Sequence, residues 1–142
     1  MIKNIAVPID ETGDAQWAAN QVVELYRRGP TRIHLVNVQC PLPLHVSRFI
    51  NRGDIRSFHR DAGMRILAPA IKLLDEAGIP HEDHVLVGRK VESIVRFAKE
   101  YSCSEVVLES RPEGLLSVIG LGSIASQIRR AIASDMVKMR PR

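Results

Sequence analysis

Lys3-Asn-Ile-Ala-Val-Pro-Ile9-Asp10 is a short apolar run with few polar interruptions, and it ends on a carboxylate. A strand half exposed to water alternates apolar and polar residues, whereas one covered on both faces does not. The run therefore predicts a central parallel strand with an acidic group at its carboxyl end. Asp14 can cap the segment that follows, where Ala15, Ala18, Ala19, Val22, Leu25 and Tyr26 recur at helical spacing before Gly29-Pro30 stops it. Arg32 to Gln39 reads as a second strand, closed by Cys40-Pro41-Leu42-Pro43, whose prolines cannot continue a central ladder.

Residues 44–53 are ambiguous. From Asp54 a long helix is expected, with Ile55, Phe58, Ala62, Ile66, Ala70, Leu73 and Ala77 as its apolar stripe, a kink at Pro69 and an end at Gly78. Asp83 to Val87 follows as a third strand. Val91, Ile94, Val95, Ala98 and Tyr101 make the next helix, and Glu105 to Leu108 a fourth strand. Ile124, Ile128, Ala131 and Ile132 suit a last helix, and Met136 to Met139 a short final strand. Strands alternating with helices through right-handed crossovers give a parallel sheet with helices on both faces. The expectation is one Rossmann-like α/β domain over residues 1–142 with a five-stranded sheet.

The composition suits that expectation and excludes other classes. With 142 residues, 45% hydrophobic and 25% charged, the chain has the length and balance of one globular domain. Aromatic residues are only 4%, which disfavours a surface that stacks exposed bases. The net charge of +4 permits an anionic partner without demanding one. Arg48, Arg52, Arg56 and Arg60 fall four apart, but Gly53-Asp54 looks like a break that would split them, so a solvated face is favoured over a nucleic-acid site. No run approaches the ~20 apolar residues of a membrane span, and the N-terminus lacks an apolar signal region, so a cytoplasmic location is expected. Cys40 and Cys103 stand far apart and read as reduced thiols. His81 and His84, three apart and entering a strand, should point different ways, and no metal pair is expected among the five histidines.

In a parallel α/β sheet the ligand crevice lies beyond the carboxyl ends of the strands, where the winding direction reverses. For the order 3-2-1-4-5 the reversal falls between strands one and four. That brings Asp10 beside the segment Glu109-Ser-Arg-Pro112-Glu-Gly114-Leu-Leu-Ser-Val-Ile-Gly120-Leu-Gly122-Ser123. A phosphate cradle needs residues without Cβ and a helix N-terminus, which Gly122 and Ser123 provide. At the other end of the segment, Glu109 repels phosphate unless Mg²⁺ or Arg111 offsets it, and Pro112 has no amide hydrogen to donate. Asp10 is either an acceptor for a base or ribose, or an aspartate setting up the turn before Gly13. The chain carries neither a GxxxxGK[ST] loop nor a G-x-S-x-G elbow, and nothing in it supports covalent catalysis.

Ile5-Ala-Val-Pro8-Ile-Asp10, His34-Leu-Val-Asn-Val38, Leu86-Val-Gly88, Val106-Val-Leu108 and Gly122-Ser123, in this order and spacing, make the chain resemble the universal stress protein family along essentially its whole length. The resemblance implies a five-stranded parallel sheet of order 3-2-1-4-5 and a homodimer joined through the final strands, here Met136 to Met139. Nucleotide-binding members carry Gly, two residues, Gly, nine residues, then Gly-Ser or Gly-Thr. On this chain the first two glycines fall on Glu109 and Pro112. Pro8, Asp10 and Val38 match positions lining the adenine and ribose pocket, Gly122, Ser123 and Ile124 match the phosphate end, and Asn37 stands where a histidine is common. The implied function is a non-catalytic stress-response protein acting through protein partners, with a degenerate nucleotide site. The alternative is an ATP- or AMP-binding sensor with at most slow Mg²⁺-dependent hydrolysis.

Overall fold

The computed structural model describes residues 2–108 and the backbone of 138–139. Its elements run β1 (Lys3–Pro8), α1 (Ala15–Arg28), β2 (Thr31–Gln39), α2 (Leu44–Ser47), α3 (Arg52–Glu76), β3 (His81–Val87), α4 (Lys90–Glu100) and β4 (Cys103–Val106), with a two-residue stretch, β5 (Lys138–Met139), at the far edge. The chain forms an α/β domain whose four longer strands lie parallel in the order β3-β2-β1-β4. Of the expected fifth strand, Met136 to Met139, the described residues are Lys138 and Met139, which pair in parallel with Glu105 and Val106. The expected last helix lies outside the described residues.

β1 is buried on both faces, as its composition requires. Ile5, Val7 and Ile9 enter one core with Val22, Leu25, Ile33, Leu35, Leu67 and Leu74, beneath α1 and α3. Ala6, from the same strand, enters a second core with Val36, Ile94, Phe97 and Val106, beneath α4. The sheet thus separates two cores, and the alternation of β1 side chains feeds both.

Local chemistry sets the element ends. Asp14 caps α1, its Oδ1 accepting from the Trp17 amide at 3.0 Å, and Asn51 caps α3 by accepting from the Asp54 amide at 2.8 Å. At the other end of α3, Gly78 adopts φ 71°, and the Gly78 and Ile79 amides donate to the Asp75 and Leu74 carbonyls. This closes the helix with a left-handed residue that only glycine takes without strain.

Three sequence expectations are corrected. The break in the arginine series falls at Phe49–Asn51, not at Gly53-Asp54, because Asn51 supplies the cap and α3 already runs from Arg52. Arg52, Arg56 and Arg60 therefore share a helix, while Arg48 belongs to the end of the one-turn α2. The buried stripe of α3 consists of His59, Gly63, Leu67, Ala70 and Leu74, largely one position on from the expected set, and Phe58 is 54% exposed. The face was misplaced because apolarity alone chose Phe58 over Gly63, whereas the close approach of α3 to β3 leaves no room for a side chain. A Cβ on Gly63 would lie 2.6 Å from both Val85 methyls. Finally, β4 spans Cys103–Val106 rather than Glu105–Leu108, although Val107 still donates to the Ala6 carbonyl at 2.8 Å. Pro69 stays inside a continuous α3 on its exposed side, where water can take the Arg65 carbonyl that a proline leaves without a helical partner.

Candidate functional site

The adjacent carboxyl ends of β1 and β2 hold the first expected cluster. Pro8 closes β1 half-buried, and the Ile9 amide donates to the Val36 carbonyl at 2.8 Å, which carries the pairing one residue further. Asn37, fully buried, ties the two strands together. Its Nδ2 donates to the Ile9 carbonyl at 2.8 Å, and its Oδ1 accepts from Gln39 Nε2 at 2.7 Å. Both ends of this amide are thereby satisfied within the protein. Val38 packs at the margin of the core beneath α4, with Leu86 and Val91.

Asp10 follows directly. Its Oδ1 accepts from the Thr12 amide at 2.9 Å and from the Thr12 hydroxyl at 2.7 Å, and the Gly13 amide donates to the Asp10 carbonyl at 3.1 Å. This is the turn that the sequence offered as one of its two readings. Asp10 Oδ2 accepts from Lys90 Nζ in an ion pair between residues 80 apart in sequence. Burial alone would raise the Asp10 carboxyl. The hydrogen bonds from Lys90 and Thr12, with the Lys90 charge, outweigh it and hold the group below its ordinary range.

Lys90 reaches Asp10 because the β3–α4 turn bends sharply over the end of the sheet. Gly88 makes that bend. It has φ 156°, its amide donates to the Gln39 carbonyl at 3.0 Å, and a Cβ there would sit 2.7 Å from Ser93 Oγ. Sequence reasoning brought together the loops after strands one and four and overlooked the loop after strand three. The available signal was a lysine two residues past a glycine, at the start of a helix whose preceding strand ends at the same edge of the sheet.

β1 and β4 are neighbours in the sheet, which puts the expected winding reversal between them. The rest of the expected site, Gly122, Ser123 and Ile124 together with Glu109 and Pro112, lies outside the described residues.

The histidines distribute differently from expectation in one respect. His81 and His84 do diverge: His81 donates from Nε2 to Asp75 at 2.8 Å and from Nδ1 to Asp83 at 2.7 Å, while His84 turns toward β2. There His84 Nε2 lies 3.1 Å from Nδ1 of His34, a cross-strand pairing that spacing along one strand could not reveal. Burial, then the nearby charges of Glu82, Asp83 and Asp75, act on these rings in opposite directions. His81 is raised because its two hydrogen-bonded carboxylates outweigh burial, whereas in His34 and His84 burial prevails and lowers them. Cys40 is exposed and Cys103 buried, and burial pushes the Cys103 thiol up to about 11, so it is inert at neutral pH.

Comparison with known proteins decides the family. The family model described as Universal stress protein family matches residues 1–137. The chain belongs to the universal stress protein family. Solved universal stress proteins share its fold at low identity. One from Burkholderia pseudomallei is 21% identical, with a TM-score of 0.67, covering 99% of this chain and 96% of that one. One from Archaeoglobus fulgidus, in complex with dAMP, is 22% identical with a TM-score of 0.59, covering 96% of each chain. One from Arabidopsis thaliana, with AMP bound, is 18% identical with a TM-score of 0.61, covering 99% of this chain and 92% of that one. A comparison with curated proteins finds no significant match. No helix among the described residues of this universal stress protein is long and apolar enough to cross a membrane.

Proposed function

We propose that this universal stress protein works without catalysis, as a cytoplasmic homodimer that acts through protein partners, and that its nucleotide site has lapsed. The observation that carries this reading is the state of Asp10. Both of its carboxylate oxygens are engaged, one by Thr12 and one by Lys90, so the acceptor expected to face a base or ribose is already used within the protein. A nucleotide would have to break the ion pair before gaining a bond there, and the exchange returns little net free energy. Glu109 and Pro112, where nucleotide-binding members carry glycine, act in the same direction at the phosphate end. A partner-facing role draws support from α2 and the residues after it, where Leu44 and Phe49 are 84% and 78% exposed and the Arg48 guanidinium lies over the Phe49 ring. Exposed apolar side chains beside arginines suit a protein segment carrying both apolar and acidic residues.

A second reading is favoured by the neighbours solved with AMP and dAMP. In it the protein senses ATP or AMP with Mg²⁺, and Lys90 leaves Asp10 to meet a phosphate. Thermal unfolding with and without millimolar Mg-ATP, and with Mg-AMP, separates the two. Ligand at 100 times its Kd adds ~2.7 kcal/mol, a shift of several degrees for a domain of this size. No shift is expected on the first reading, and a clear shift would establish the second. Glu109→Gly with Pro112→Gly is expected to gain ATP affinity, since it removes a repulsive charge and restores an amide donor.

A further inference from the structure

Away from Asp10, on the α4 side of the sheet, three potential ligands from two neighbouring strands converge. His34 and Glu82 are register partners across β2 and β3, and His84 lies two residues beyond Glu82 on the same face. One ligand atom from each of the three falls within 4.8 Å of the others. His34 is 1% exposed, and its Nε2 lies 3.0 Å from Asn4 Oδ1. An amide oxygen only accepts, so Nε2 carries the hydrogen and Nδ1 is left with its lone pair outward. That lone pair faces His84 Nε2 at 3.1 Å, and a Glu82 carboxylate oxygen lies 3.9 Å from it.

Two arrangements satisfy this geometry. Either His84 donates a hydrogen to His34, or His84 takes the other tautomer and a cation lies between two lone pairs. Nitrogens each ~2.05 Å from a tetrahedral zinc stand about 3.3 Å apart, so the observed spacing needs only a small opening. The Asn4 bond has the form of the support that metal-bound imidazoles use, the far ring N–H held by an oxygen. Phe97 and Tyr101 wall the two rings, with Phe97 at 4.7 Å from His84 and Tyr101 at 5.0 Å from His34 between ring centroids. Glu82, with 54% of its side chain exposed, gives an approach from solvent.

We propose that His34 Nδ1, His84 Nε2 and the Glu82 carboxylate form a zinc site, with a water molecule completing the tetrahedron. Two imidazoles and one carboxylate suit Zn²⁺ and are poor ligands for Mg²⁺, which prefers oxygen. Apart from Asn4, whose bond holds the ring, no residue outside the three is required.

The test is calorimetric titration of chelator-treated protein with ZnCl₂, backed by the absorption spectrum of the Co²⁺ form. One zinc per chain is expected, with a tetrahedral cobalt spectrum and no competition from Mg²⁺. His84→Gln and Glu82→Gln are expected to weaken zinc at least tenfold, and Asn4→Ala about 10–100-fold through the ring it orients. His81→Gln, whose ring is held by Asp75 and Asp83, should leave affinity unchanged. Glu82→Gln sits at an exposed position, so it decides the matter even where a histidine variant misfolds. Absence of stoichiometric zinc binding, or affinity unmoved by Glu82→Gln and His84→Gln, overturns the proposal.

Discussion

Asp10 realises one of its two sequence readings, the turn, and adds a contact that neither reading contained. It makes the turn before Gly13 and also closes an ion pair across the carboxyl end of the sheet. Because its folded pKa is depressed, the pair stabilises the protein at and above the ordinary carboxylate pKa of ~3.9, and that contribution is lost as pH falls through the lower, folded value. Asp10→Asn is expected to cost about 1 kcal/mol at pH 7, allowing for partial exposure of both partners, and the difference from wild type should shrink below pH 4. Urea unfolding of both proteins across pH 3–7 checks this, and a pH-independent difference would refute it. The aspartate itself was legible in the sequence. Lys90 was overlooked: its place past Gly88 at the start of α4 was a usable signal, but its pairing with Asp10 depends on where two distant turns meet.

At the scale of elements, α3 is the informative case. Its glycine stop at Gly78 and its sustained apolar period were readable, whereas its start was expected at Asp54 and lies at Arg52, after the Asn51 cap. Its buried face was not, because the deciding constraint is the lack of space above Val85 rather than hydrophobicity. Gly63→Ala tests that constraint directly. Helix propensity alone favours alanine by up to about 1 kcal/mol, but a Cβ 2.6 Å from two stiff valine methyls and 3.1 Å from Asn37 Oδ1 forces a displacement. A net loss of ~1–2 kcal/mol is expected, visible as a fall of several degrees in Tm. Gly63→Ala with Val85→Ala should recover part of the loss, and a stabilised single variant would show that α3 can retreat from the sheet. Cross-strand pairs such as His34 and His84 escaped the sequence for a related reason: each lies in a different strand, and only the register brings them together.

For the whole molecule, strand alternation, crossovers and the two-sided burial of β1 made the parallel α/β architecture readable from apolar runs, whereas the strand order β3-β2-β1-β4 followed from the family resemblance. The far edge is where assembly is expected. We propose that the segment around Lys138–Met139, beside β4, pairs with its counterpart in a second chain, since an open parallel edge is otherwise a template for unwanted pairing. Sedimentation velocity at micromolar concentration is expected to give a dimer, and a monomer would count against that pairing. The order of the sheet also imposes a schedule on synthesis. β1 leaves the ribosome first and finds β2 soon afterwards, yet its other neighbour arrives much later, as the partners Ala6 and Val106 show. At roughly 5–20 residues per second, the inner strand waits about 5–20 s with one ladder of amides and carbonyls open to any passing nascent chain. A protein made under stress would spend that interval in a crowded, aggregation-prone cell, so its yield should depend on holdase chaperones more than its final stability would suggest.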